Sequence, residues 1–188
     1  IDQVIDMFVS CINSNVKSGI QSINKTYELT VGNLAEHLIY IHESEVNNVL
    51  PHQESRLIKD LYSTYISFKP MSDLKKNLII NVDQRGSFTE ILKTLSDGQI
   101  SVNVIKPGVT KGNHYHHHKH EKFLVVYGEA VIQLRNKNTN ELKKFYVNNE
   151  KLVLVDIPPG VIHNINNSGT IDLIVIIWAN EVFNKNHP

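Results

Sequence analysis

The chain has 188 residues, 41% of them hydrophobic, and its 19 basic side chains balance 19 acidic ones. That hydrophobic share is enough for a packed core and excludes a disordered chain, while zero formal charge removes any general electrostatic reason to expect nucleic acid or a membrane surface as partner. A lone Cys11 excludes an internal disulfide, no signal-peptide pattern opens the chain, and the apolar run in IDLIVIIWAN is far shorter than the roughly 18 residues of a membrane span.

The expectation is therefore a cytoplasmic protein, and a start at Ile1 rather than Met suggests a piece of something longer. Ile1, Ile5, Phe8 and Ile12 recur at helical spacing, as do Val31, Leu34, Leu38 and Ile41, with Thr30 placed as N-cap of the second helix. A third set, Leu57, Leu61, Tyr65 and Phe68, ends before Pro70. Pro70 thus marks a boundary between a helical segment over residues 1–68 and a second domain over residues 69–188. Three short helices leave their apolar faces poorly covered, so the first segment is not expected to be self-sufficient. From Leu78 the pattern changes to short β-branched and aromatic runs: LIINV, FTEIL, QISVNVIK, KFLVVY, AVIQLRN, KKFYV, LVLVDI and DLIVIIWA. Eight or more strands with no helical period between them predict a mainly β fold, a small barrel or jelly roll.

Five of the ten histidines fall between His114 and His120. His114 and His116 are two apart, so on a strand their side chains share one face. Glu121 follows at an odd offset and can join them only if the chain turns within His117 to His120. Pro158, Pro159 and Gly160 form a rigid turn that delivers His163 to a further strand. Three imidazoles and one carboxylate form a mixed nitrogen and oxygen set that suits zinc or another divalent first-row metal without selecting one; zinc is the expected ion, with iron, manganese or nickel as alternatives. His117, His118 and His120 are expected on a loop surface, and His37, His42, His52 and His187 have no partners at ligand spacing.

Gly108, His114, His116, Glu121 and Gly128 match the first cupin motif at every fixed position. Pro158, Gly160, His163 and Asn167 match the second, although Leu152 stands where that motif usually has glycine. The chain thus resembles the cupins, which are double-stranded β-helix barrels and commonly homodimers. VDQRGSFTEIL, GNHYHHHKHEKFLVVYG and WANEVF are more narrowly similar to the C-terminal cupin domain of bifunctional capsular polysaccharide enzymes of the UDP-N-acetyl-L-fucosamine pathway. YELTVGNLAEHLIYI resembles the closing part of the reductase domain that precedes that cupin. The resemblance implies C3 epimerisation of a UDP-4-keto-6-deoxy-N-acetylhexosamine, with NADPH belonging only to an N-terminal reductase domain outside this sequence, which carries no Gly-rich dinucleotide fingerprint.

Inverting a carbon beside a ketone requires loss of a weakly acidic proton and stabilisation of an enolate, which a metal held by His114, His116, Glu121 and His163 would provide. Lys122, His118 and Tyr115, in that order, are candidates for moving the proton. Lys122 heads them through its neighbour Glu121, although strand parity turns it away unless the chain bends. Arg85 and Lys122, then Arg135, are candidates to hold the diphosphate. Two other functions fit a cupin: a non-catalytic sugar-binding or sensing domain, and an iron-dependent oxygenase.

Overall fold

In a computed structural model of the chain, residues 2–13, 19–23, 26–52, 54–94, 96 and 98–183 are described; His187 lies outside them. The chain forms two compact units, Ile1–His37 and Leu38–Pro188. In the first, helix α1 (Asp2–Asn13) forms where the spacing predicts, with Ile5, Phe8 and Ile12 of its apolar stripe exposed. Helix α2 (Val31–Val46) starts at the expected cap, where Thr30 Oγ1 accepts a hydrogen bond from the Asn33 N–H at 3.0 Å.

The second unit takes the rest of α2, strand β1 (Val49–Leu50), helix α3 (Arg56–Ser67) and a 3-10 turn at Met71–Leu74. Ile41 of α2 and Ile58 of α3 are buried, and Ser55 caps α3 through the Ile58 N–H. The compact units divide after His37 rather than near Pro70, and the reason is in the hydrogen bonding. Strand β1 adds in parallel to strand β3 (Gly86–Thr94), pairing Val49 with Lys93 and Leu50 with Thr94. Asn48 Nδ2 also donates to the Ile91 carbonyl at 3.0 Å. These ties attach the residues after His37 to the edge of a sheet.

The remaining strands are β2 (Ile80–Asp83), β4 (Gly98–Ile105), β5 (Thr110–His114), β6 (Glu121–Tyr127), β7 (Glu129–Asn136), β8 (Leu142–Asn148), β9 (Leu154–Ile157), β10 (Val161–Asn167) and β11 (Leu173–Ala179). They form two sheets, one ordered β1-β3-β4-β11-β6-β9 with β2 also on β3, the other β5-β10-β7-β8. The C-terminal strand β11 therefore runs through the middle of the larger sheet, antiparallel to both β4 and β6. Each of the eight β-type runs supplies a strand. Strands β5 and β10 come instead from the polar stretches TKGNH and VIHNINN.

Both sheets feed one core: Ile105, Phe123, Val125, Leu173 and Val175 from the larger, Ala130, Ile132, Val147 and Ile165 from the smaller. Ile132, Leu173 and Val175 are fully buried, each contributing roughly 1.5 to 3 kcal/mol relative to exposure. The second-motif Asn167 is equally buried. Its Nδ2 donates to the carbonyls of Ile105 and Ile171, both at 2.8 Å, and its Oδ1 accepts from the Gly169 N–H. Its motif position thus serves the turn between β10 and β11. Leu152 occupies the usual glycine position without a positive φ, so the departure strains nothing.

Candidate metal centre and cavity

Strands β5 and β10 pair with His163 opposite His114, but the register shifts one step on, so that Asn164 faces Gly112 and Asn113 is an extra residue. Gly112 and Asn113 take φ of +102° and +67°, values open to glycine and tolerated by asparagine. A Cβ on Gly112 would lie 2.8 Å from the His163 carbonyl. This bulge resets strand parity. Lys111 and His114, three residues apart, both line the same cavity, of about 440 Å³.

Strand β5 ends at His114, so His116 lies beyond it rather than on it, contrary to the two-on-one-strand expectation. The chain turns there, with the His116 carbonyl accepting from the Gly160 N–H at 2.8 Å, and the rings still converge. Centroid separations are 4.9 Å for His114–His116, 4.7 Å for His114–His163 and 5.6 Å for His116–His163. One nitrogen from each lies within 4.8 Å of the others. Glu121 opens β6 and faces inward, its Oε2 at 3.1 Å from His163 Nε2 and 3.7 Å from His116 Nε2.

His163 is 2% exposed, and its Nδ1 lies 3.3 Å from the Val161 carbonyl, which can only accept. Nδ1 then carries the proton in neutral imidazole, and Nε2 presents a lone pair to the Glu121 carboxylate. Glu121 Oε2 is buried without a hydrogen-bond partner. Electron-rich atoms facing one another in a buried site fit a cation between them. Burial, reinforced by His163, lowers the pKa of His114; burial also lowers that of His116. Both favour the neutral form that binds metals. Burial works against the charge on Glu121; a proton on the facing nitrogen of His163 or His116 outweighs it and holds the carboxyl below its usual range, a place that a cation would otherwise fill.

Of the other residues singled out in the sequence, Arg85 alone lines the cavity. Its Nε and Nη2 donate to Asp83 Oδ2 at 3.0 and 2.6 Å; this raises the arginine pKa and lowers that of Asp83. Lys122 faces away, because β6 pairs with β9 in unbroken register and sets Lys122 opposite Asp156, with which it forms an ion pair. Tyr115 accepts a hydrogen bond from Lys137 at 2.9 Å, while His118 is exposed with its ring beside His117. Neither lines the cavity, nor does Arg135, which is exposed at the end of β7. His117 is exposed, whereas His120 is half-buried with its ring edge-on to Trp178. His42 contacts Tyr65 and His52 stacks on Tyr40; His37 is half-buried on α2.

Lys111, Phe88 and Phe183 line the cavity and are absent from the sequence-based set. Lys111 Nζ donates to the Ser87 and Val104 carbonyls at 3.2 and 3.3 Å. The signal for it was the dipeptide Gly112-Asn113, two residues that adopt left-handed backbone readily and so mark a bulge.

A jelly-roll barrel with three histidines and a glutamate converging inside it is a cupin. The chain belongs to the polysaccharide biosynthesis C-terminal domain family, whose model matches residues 81–188. Along its whole length it is 39% identical to UDP-2-acetamido-2,6-beta-L-arabino-hexul-4-ose reductase of Pseudomonas aeruginosa, covering 51% of that protein. It is 43% identical to the capsular polysaccharide assembling protein CapF of Staphylococcus aureus, with a TM-score of 0.89 over 100% of this chain and 51% of that one. CapF has also been solved with the inhibitor 3-isopropenyl-tropolone. The Drosophila melanogaster CENP-C cupin domain, at 14% identity and a TM-score of 0.50 over 59% of this chain and 80% of that one, shares the fold alone. The chain spans about half the length of CapF and the Pseudomonas relative, and both bear out the resemblance to capsular polysaccharide enzymes. Among the described residues, no helix is long and apolar enough to cross a membrane.

Proposed function

We propose that this chain is the epimerase part of a nucleotide-sugar enzyme, inverting C3 of a UDP-4-keto-6-deoxy-N-acetylhexosamine for capsular polysaccharide synthesis. The observation that carries this reading is the convergence of His114, His116, His163 and Glu121 beside a cavity, in a chain homologous throughout to CapF. The Pseudomonas relative is named for a UDP-linked hexul-4-ose, a ketone with an acidic C–H bond beside it. The tropolone bound to CapF is a hydroxy-ketone, a class that chelates divalent ions.

These four side chains would hold one divalent metal, with zinc as the expected ion among those that mixed nitrogen and oxygen donors accept. When bound, it would supply Lewis acidity at the ketone oxygen. Arg85 would take the diphosphate with the guanidinium N–H groups that Asp83 leaves over. Phe88 and Phe183, with ring centroids 6.5 Å apart, would pack against an apolar face of the bound sugar. Residues 1–68 are read as the closing part of a reductase domain, to whose missing remainder NADPH would belong.

The test joins metal analysis to transfer of solvent deuterium into C3 of the 4-keto substrate. One bound metal per chain with deuterium at C3 is the expected result. Oxygen consumption with redox-active iron would favour the oxygenase alternative. Sugar-nucleotide binding without exchange would favour a sensing cupin.

A further inference from the structure

The epimerase reading needs a group that moves a proton inside the cavity, and Lys122, His118 and Tyr115 do not line it. The titratable side chains that do are Asp83, Arg85, Lys111, His114, Glu121 and His163. Three of these belong to the donor set. Arg85 does not give up its proton in the working range of pH. Asp83 is engaged on both oxygens by Arg85, through the backbone N–H to Oδ1 at 2.8 Å and the guanidinium to Oδ2. Lys111 remains, brought to the cavity by the Gly112-Asn113 bulge.

We propose that Lys111 is the base that takes the proton from the carbon beside the ketone, an inference that rests on the epimerase reading. Its Nζ is held by two donated hydrogen bonds, to the Ser87 and Val104 carbonyls, one on each of two neighbouring strands. A lysine nitrogen has four tetrahedral positions. Cε takes one and the carbonyls take two, so the fourth, which alone differs between amine and ammonium, is left for the substrate. The same fixed atom can therefore accept the proton of C3 and afterwards release it to hydroxide. Burial lowers the lysine's pKa; the charge of Asp83 opposes this shift and Arg85 reinforces it. Lysine paired with a metal that steadies an enolate is a known combination for this chemistry.

The step balances without an oxidant or reductant. The C3–H bond breaks and its proton passes to the Nζ lone pair. The electron pair of that bond forms C3=C4 as the carbonyl electrons move onto oxygen. Water then protonates C3 on the opposite face, and the hydroxide left behind is neutralised by the proton on Lys111.

The full chain, with metal bound, is assayed in D₂O for deuterium at C3 and, separately, for metal content and affinity for UDP. Lys111→Met and Lys111→Arg should each lose exchange by about a hundredfold or more, the scale of a missing general base, and keep metal content and UDP affinity near wild type. Arginine keeps the charge but not the basic lone pair, so its failure separates proton transfer from charge. Because Cys11 is the sole cysteine, Lys111→Cys in a Cys11→Ser background can be alkylated selectively with 2-bromoethylamine. The aminoethyl side chain should restore exchange. Retained exchange in either Lys111→Met or Lys111→Arg overturns the inference alone, as does loss of UDP affinity in Lys111→Met equal to its loss of exchange. A wild-type chain that binds UDP and metal but exchanges nothing overturns the epimerase reading and this inference with it.

Discussion

Strands β5 and β6 both deliver a donor to the same cluster, His114 from one and Glu121 from the other, yet they obey different rules. Strand β6 is regular through its first residues, so alternation holds and Lys122 points away when Glu121 points in. Strand β5 carries a bulge, so Lys111 and His114 reach the cavity from positions that alternation would place on opposite faces. Parity is a sound guide along an unbroken ladder, and it misleads where the ladder is broken to re-aim a side chain.

The largest expected effect tests the point on which both strands converge. His163→Ala should lower bound metal by at least about tenfold, the scale known even for groups that merely support a ligand. Unchanged occupancy in metal analysis would mean that a different donor set is in use.

Next comes the bulge. Gly112→Ala should cost about 2 to 4 kcal/mol in denaturant unfolding, because left-handed backbone and a contact with the His163 carbonyl act together. Gly108→Ala, at φ +75° with nothing within 4 Å of the added Cβ, should cost about 1 to 2 kcal/mol. Equal costs would remove the close approach from the explanation.

A smaller effect is in pH dependence. Burial lowers the pKa of Lys111, so between its folded value and the ordinary value of 10.5 the unfolded chain binds more protons. Stability from this group therefore rises with pH through that window. Lys111→Met should flatten that rise in metal-free unfolding curves taken across the alkaline range; an unchanged slope would place the lysine in water. Smallest of all, Lys122→Ala should change stability by less than about 1 kcal/mol and leave metal content alone, since its ion pair with Asp156 is largely exposed. A marked loss of metal would bring β6 back into the comparison as an irregular strand.

Much of this was legible in the sequence because it depends on local pattern. Apolar runs gave eight strands, and fixed motif spacing brought His114, His116, Glu121 and His163 together. The polar strands β5 and β10 could be inferred from their histidines alone, since asparagine and glycine carry no strand signal. The helical residues after His37 join the barrel unit through two residues of parallel pairing and one asparagine side chain, ties that periodicity does not encode. Lys111 was missed because a one-residue register shift is a tertiary event, betrayed locally only by Gly112-Asn113.

The central place of the C-terminal strand also governs how the protein is made. Seven residues of β11, Leu173–Ala179, lie between β4 and β6, which do not pair with each other. Until the ribosome releases that strand, β4 and β6 present open edges to one another and to other nascent chains. Closure must wait for contacts between residues far apart in sequence, such as Asn167 with Ile105, 62 positions away. Premature termination anywhere before Leu173 should thus yield an aggregating product rather than a smaller barrel.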